Sequence, residues 1–236
     1  MIELAKYETT AVSRYRGNPL IEALPPVLDV KDWPRLLLCR PEVTSDDLRL
    51  PAKDRCALVL ALYQVFVPLP VHLVLAREID LVLREGYVSR DPLDPETQRR
   101  SYRIALSSDP GRSDVCTART IFVHGLSRIG KSRGIERIFE TAYTQVILHR
   151  EYRARPLPLR QVTYLHVGCP SNASLRDFNL AFFDALDQAC ETSEYLDRAS
   201  RDRSNLNLLV RKVCREISLG VLIVDELQNL LSPRSQ

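Results

Sequence analysis

The chain has 236 residues, enough for one large domain or one and a half ordinary ones, and its 45% hydrophobic content suffices for a sizeable core. No apolar run is long enough to span a bilayer, and residues 1–6 lack the basic and apolar regions of a signal peptide, so a cytoplasmic protein without membrane attachment is expected. The formal net charge is only +3, although 28 of the 33 basic residues are arginine, and the six cysteines show neither a C-x-x-C pair nor a histidine at zinc spacing. Most of them read as reduced, buried small hydrophobes rather than metal ligands.

In chain order, residues 1–115 hold most of the prolines and two helical stretches, 54–66 and 73–85, the second stopped by Gly86. This part is expected to be a mainly helical, partner-binding N-terminal region. Residues 89–114 are polar and carry Asp91-Pro92, Asp94-Pro95 and Asp109-Pro110-Gly111, which reads as an exposed connection. From residue 116 to 236 strand and helix alternate, as a three-layer αβα sandwich around a parallel sheet requires. Strands are expected at 119–124, 145–149, 161–167 and 220–225, and helices at 131–143, 175–190 and 202–218. The helix after Ser174 has a capping residue at its start and sets Leu175, Phe178, Phe182 and Leu186 along one apolar face.

The first of these strands runs straight into Gly125-Leu126-Ser127-Arg128-Ile129-Gly130-Lys131-Ser132, the G-x-x-x-x-G-K-S spacing of a phosphate-binding loop. With eight glycines and few lysines in the chain, this spacing is an improbable accident. Gly125 and Gly130 let the backbone curl so that successive N–H groups point inward, and a helix starting near Lys131 adds the positive end of its dipole. Lys131 would reach the β- and γ-phosphates of ATP. Ser132 would hold magnesium (Mg2+) through its hydroxyl, and Arg133 follows at the mouth of the loop.

The strand 220–225 is apolar and β-branched, as a buried central strand should be, and ends in the adjacent carboxylates Asp225 and Glu226. Ligands of open α/β sheets bind at that carboxyl edge. Asp225 would complete the magnesium shell, and Glu226 would polarise the attacking water as general base. Between two strands, Arg150, Arg153, Arg155 and Arg160 crowd one loop. That charge suits either a phosphate backbone or a solvated surface.

Tyr15-Arg16-Gly17-Asn18-Pro19-Leu20-Ile21-Glu22-Ala23-Leu24-Pro25-Pro26, read alone, is a Pro-rich surface arm. It closely resembles the start of the TnsC-type transposition ATPases, the TnsC/TniB group of AAA+ regulators of bacterial transposons. The resemblance continues at Arg84-Glu85-Gly86-Tyr87-Val88-Ser89-Arg90-Asp91-Pro92, at residues 145–151, at Val162-Thr163-Tyr164-Leu165 and at Asp225-Glu226-Leu227-Gln228. It implies an AAA+ P-loop fold and an ATP-dependent homo-oligomer assembled on double-stranded DNA. Such an oligomer receives a signal from a target-selection protein and recruits transposase subunits. Arg153, Arg155 and Arg160 are the candidate DNA contacts.

The sequence stops eleven residues after Asp225, with a polar tail at Ser232-Pro233-Arg234-Ser235-Gln236. The resemblance places the next strand, the sensor residue and the arginine that a neighbour inserts outside this chain. A C-terminally truncated AAA+ domain that binds ATP but hydrolyses it poorly is therefore expected. Two other readings stay open, another AAA+ ATPase of helicase-loader or signalling type and a nonfunctional fragment.

Overall fold

The computed structural model describes residues 2–106, 119–172, 174–201 and 205–231. Cys116, the last part of the expected 89–114 connection and the polar tail lie outside them. The chain divides into two compact units. The first comprises residues 1–26, 80–122 and 143–236, and the second residues 27–79 and 123–142.

In chain order the elements are β1 (Ile2–Leu4), α1 (Pro19–Glu22), α2 (Trp33–Leu37), α3 (Ser45–Arg49), α4 (Ala52–Arg55), a 3-10 segment (Cys56–Gln64), α5 (Pro70–Val88), α6 (Pro95–Leu106) and α7 (Lys131–Ala142). There follow β2 (Val146–Tyr152), β3 (Arg155–Val162), β4 (Tyr164–Gly168), α8 (Leu175–Cys190), α9 (Glu194–Arg201), α10 (Leu206–Glu216), β5 (Val221–Asp225) and α11 (Gln228–Leu231). Among the described residues, no helix is long and apolar enough to cross a membrane.

In the first unit β1 pairs parallel with β2, and β2 pairs antiparallel with β3. β4 pairs parallel with β5, Tyr164 opposite Val221 and Gly168 opposite Asp225. The apolar run at 161–167, expected as one strand, is therefore two. The chain leaves the first sheet at Thr163, whose N–H donates to Gln145 O and whose carbonyl accepts from Val221 N. The local pattern carries no record of such a switch, because buried positions here take apolar and polar residues alike, Gln161 and Thr163 being buried beside Val162 and Leu165.

The core of this unit joins Val146, Val162, Leu165 and Val167 to Phe182, Phe183 and Leu186 of α8, Leu209 and Val213 of α10, and Leu219. α8 has the expected bounds because Ser174 Oγ accepts from Asp177 N at 3.2 Å and Glu191 ends the helix in the left-handed region. Its buried face contains Phe183 and leaves Leu175 exposed, a small rotation of the expected stripe. Asp187, buried near its end, receives Thr192 Oγ1, Tyr195 N and Leu196 N and so starts α9.

Three further expectations change. The 89–114 connection contains α6, because Asp94 accepts from Thr97 N at 3.0 Å and Pro95 sits at the first helical position. An Asp-Pro pair serves a turn and a helix start equally well. The 54–66 helix is α4 followed by the 3-10 segment. Finally, the stretch 119–124 forms no strand, and Ile121 and Phe122 are 38% and 71% exposed. An apolar run becomes a strand only where a neighbouring strand takes up its backbone groups, and β4–β5 pair without it.

The arm at 15–26 is not free. Asn18 caps α1 by accepting from Leu20 N at 3.0 Å, and its amide donates to Tyr87 O at 2.8 Å. Leu20, Ile21 and Leu24 are buried. Glu22, also buried, accepts from Gly17 N at 2.9 Å and from Tyr152 OH at 2.6 Å.

Candidate functional site

The phosphate loop lies in the second unit. α7 begins at Lys131, and Gly134 N donates to Gly130 O at 2.8 Å, so the first helical turn closes directly on the loop. Gly130 has φ +88°, which other residues adopt at a cost, and a Cβ there would meet nothing within 4 Å. At Gly125 a Cβ would lie 2.8 Å from Ile129 Cδ1. Arg128 also has a positive φ, of 66°. Lys131 Nζ donates to Gly125 O at 3.0 Å and to Leu126 O at 2.7 Å, so its ammonium lies inside the turn of the loop. Ser127, Arg128 and Ile129 are exposed, Ser132 is half-buried, and Arg133 pairs with Glu136 at 3.7 Å. α7 is held from outside the loop by Arg137, whose Nε donates to Leu37 O at 3.0 Å.

The acidic strand end belongs to the first unit. β5 and β4 run parallel, so Asp225 and Gly168 reach the same carboxyl edge, and Cys169 N donates to Asp225 O at 2.9 Å. Asp225 Oδ1 accepts from Glu226 N at 2.8 Å, and its Oδ2 is 3.8 Å from His166 Nε2 on β4. Glu226 has φ 55°, a left-handed conformation of about 1–2 kcal/mol that turns the chain away from the sheet. Its carboxylate accepts from the Gln228 side-chain amide. Asn229 closes the turn, with its N–H on Glu226 O at 2.9 Å and its amide on Cys169 O at 3.1 Å. Burial, with Asp225 and Glu226 nearby, raises the Cys169 thiol above its ordinary range. Sequence patterns pointed to the two acids but not to Gln228 or Asn229. Their contacts depend on the Glu226 torsion, which spacing does not reveal.

The donor set fits the groups that the loop and acids imply. The loop carries one ammonium, that of Lys131, and the Ser132 hydroxyl on the first turn of α7, the residue types that phosphate and magnesium call for. Each group belongs to its own unit, and the AAA domain is a nucleotide-binding one.

The arginines do not form a single array. Arg153 and Ala154, at φ 48° and 62°, make the tight turn between β2 and β3. The Arg153 guanidinium lies 4.9 Å from the Tyr152 ring centroid and 3.3 Å from Glu22 Oε1. Arg155 is exposed. Arg160 is half-buried and donates to Tyr195 OH at 2.9 Å.

A comparison with curated proteins finds no match. The family profile of the AAA domain matches residues 114–236, which include the loop, α7, the β2–β3 and β4–β5 pairs and the acidic strand end. The chain therefore belongs to the AAA domain family, with its P-loop αβα fold, a helical N-terminal part and the nucleotide-binding character of AAA-type ATPases.

Proposed function

We infer that the protein is an ATP-responsive regulator of DNA transposition, assembling as a homo-oligomer on double-stranded DNA and linking a target-selection protein to transposase subunits. The observation that carries this reading is where the segments resembling TnsC-type ATPases lie. Asn18 bonds Tyr87 O, and Arg84 donates to Pro25 O at 2.6 Å. Gln161 donates to Leu20 O at 2.9 Å, and His149 bonds Gln161 at 2.9 Å. Arg90 donates to Leu219 O at 2.5 Å, immediately before the acidic strand. Segments scattered through the sequence thus support one another in one nucleus, which supports reading them as parts of one inherited device.

When bound, ATP supplies the phosphoanhydride whose cleavage resets the switch. Lys131 would counter charge on the terminal phosphates, and the loop N–H groups would orient them. Ser132 and Asp225 would be the magnesium ligands, a hydroxyl and a carboxylate whose hard oxygens suit that ion. Glu226 would orient the attacking water and accept its proton, and the Gln228 amide bonds that carboxylate. Arg153 and Arg155 are the proposed DNA-facing cations, whereas Arg160, grouped with them by the sequence, is engaged with Tyr195.

Sedimentation of the chain with a linear duplex tests the reading. Cosedimentation with ATP and magnesium, absent with ADP and absent for Lys131→Ala, is the expected result. Nucleotide-independent sedimentation, or none with any nucleotide, would overturn the assignment.

A further inference from the structure

Gly134 occupies the first turn of α7, three residues after Lys131, although glycine is a poor helix former. Within the second unit, a Cβ at Gly134 would lie 2.8 Å from Cδ2 and 2.9 Å from Nε2 of His72, closer than real side chains approach. The imidazole therefore rests directly on the backbone of the phosphate-loop helix, and no residue but glycine leaves it room.

His72 is itself held firmly. It is buried, and its Nδ1 accepts from Leu69 N at 3.0 Å, which puts the ring proton on Nε2. Its ring centroid is 5.1 Å from that of Phe66, and Phe66 exchanges both backbone hydrogen bonds with Cys39 at 2.9 Å. Burial keeps the imidazole uncharged by lowering its pKa, which suits a ring beside the positive end of a helix dipole. On the other side of the contact, Gly134 N donates to Gly130 O, so a displacement of Gly134 moves the loop itself.

We propose that His72 is a positioning residue for the nucleotide site, seating the first turn of α7 through Gly134 and thereby fixing the phosphate loop in its binding geometry. This rests on the nucleotide-binding reading of the loop. His72 touches no phosphate. It acts through Gly134 and Gly130.

The test is titration calorimetry of the full chain with MgATP for wild type, Lys131→Ala, His72→Ala, Gly134→Ala and the double variant His72→Ala/Gly134→Ala. Thermal melting without nucleotide shows that each is folded at the titration temperature. Gly134→Ala is expected to weaken MgATP about tenfold or more, the affinity equivalent of forcing one methyl group into a packed contact. His72→Ala should weaken it several-fold, and the double variant should bind more tightly than Gly134→Ala alone because the added methyl then has space. A merely structural histidine would change melting without this pattern in affinity.

His72→Ala binding MgATP like wild type, or a double variant no better than Gly134→Ala, overturns the proposal. If Gly134→Ala does not fold, His72→Ala, which only removes atoms, decides alone. Binding by wild type and not by Lys131→Ala, with His72→Ala unchanged, removes the role of His72 and leaves the loop assignment standing. A folded wild type that binds no MgATP removes both.

Discussion

Arg84 donates its Nε to both carboxylate oxygens of Asp80, at 3.0 and 2.9 Å, one turn earlier on the same helix, and both side chains are largely buried. The pair is further bound: Arg84 donates to Pro25 O at 2.6 Å, and Asp80 Oδ1 accepts from Tyr143 OH at 2.9 Å. Burial and the adjacent carboxylate push the Tyr143 phenol well above its ordinary range, so it remains a donor at any working pH. Removing one member leaves a buried charge uncompensated. Asp80→Ala is expected to cost about 3–5 kcal/mol, measured as a lower urea midpoint at unchanged slope. A loss under about 1 kcal/mol would mean that water reaches Arg84.

Asp187 replaces three separate bonds at the start of α9, accepting from Thr192 Oγ1 at 2.8 Å, Tyr195 N at 3.1 Å and Leu196 N at 2.8 Å. Asp187→Ala leaves two backbone donors unmet near the core, at about 2–3 kcal/mol. Faster hydrogen exchange confined to α9 and the end of α8 is the signature to look for. Uniform exchange across the chain would count against a local capping role.

How much of this was legible in the sequence depended on what kind of interaction set each element. α8 was readable because Ser174 and the apolar spacing act within one helix. β4 and β3 were not separable, because only Thr163 and its distant partners Gln145 and Val221 decide where one sheet ends and the next begins. The stretch 119–124 shows the same limit, since apolar content says nothing about which strand accepts its backbone groups. At the candidate site, the spacing of Gly125, Gly130 and Lys131 pointed to the loop and the start of α7. The seat of Lys131 on Gly125 O and Leu126 O, and the bond from Gln228 to Glu226, follow from torsions that residue types do not encode.

His149 of β2 bonds Tyr7 OH at 2.8 Å and Gln161 of β3 at 2.9 Å. The Gln161 amide donates to Leu20 O, so its oxygen faces His149 and the imidazole carries its proton on Nε2. Burial lowers the pKa of His149, and that of His72, below the ordinary value near 6.5. The unfolded chain then binds more protons than the folded one below about pH 6.5, so stability is full above that pH and falls as pH drops through the folded value. Urea midpoints should rise from pH 5 to pH 7, and His149→Gln should flatten part of the rise, leaving the share of His72. A slope identical to wild type would show that His149 does not titrate with unfolding.

The last expectation separates the arginines by geometry. Each phosphate contact contributes about 0.9 to the slope of log affinity against log salt. Arg155 is exposed, and the Arg153 side chain is 61% exposed even while paired with Glu22. Both are open to solvent, and Glu22 with Tyr152 holds the Arg153 guanidinium in one place, so these two are expected to carry any phosphate contacts of the hairpin. Arg160 is engaged with Tyr195 and partly buried, so moving it to a phosphate would cost that bond and its packing. With ATP and magnesium present, Arg153→Ala/Arg155→Ala should reduce the salt slope by about two, whereas Arg160→Ala should lower thermal stability and leave the slope nearly unchanged. Fluorescence anisotropy with a labelled duplex over a salt series measures both. An unchanged slope in the double variant would move the DNA contacts off this hairpin, and a reduced slope in Arg160→Ala would show that Tyr195 releases its partner on binding.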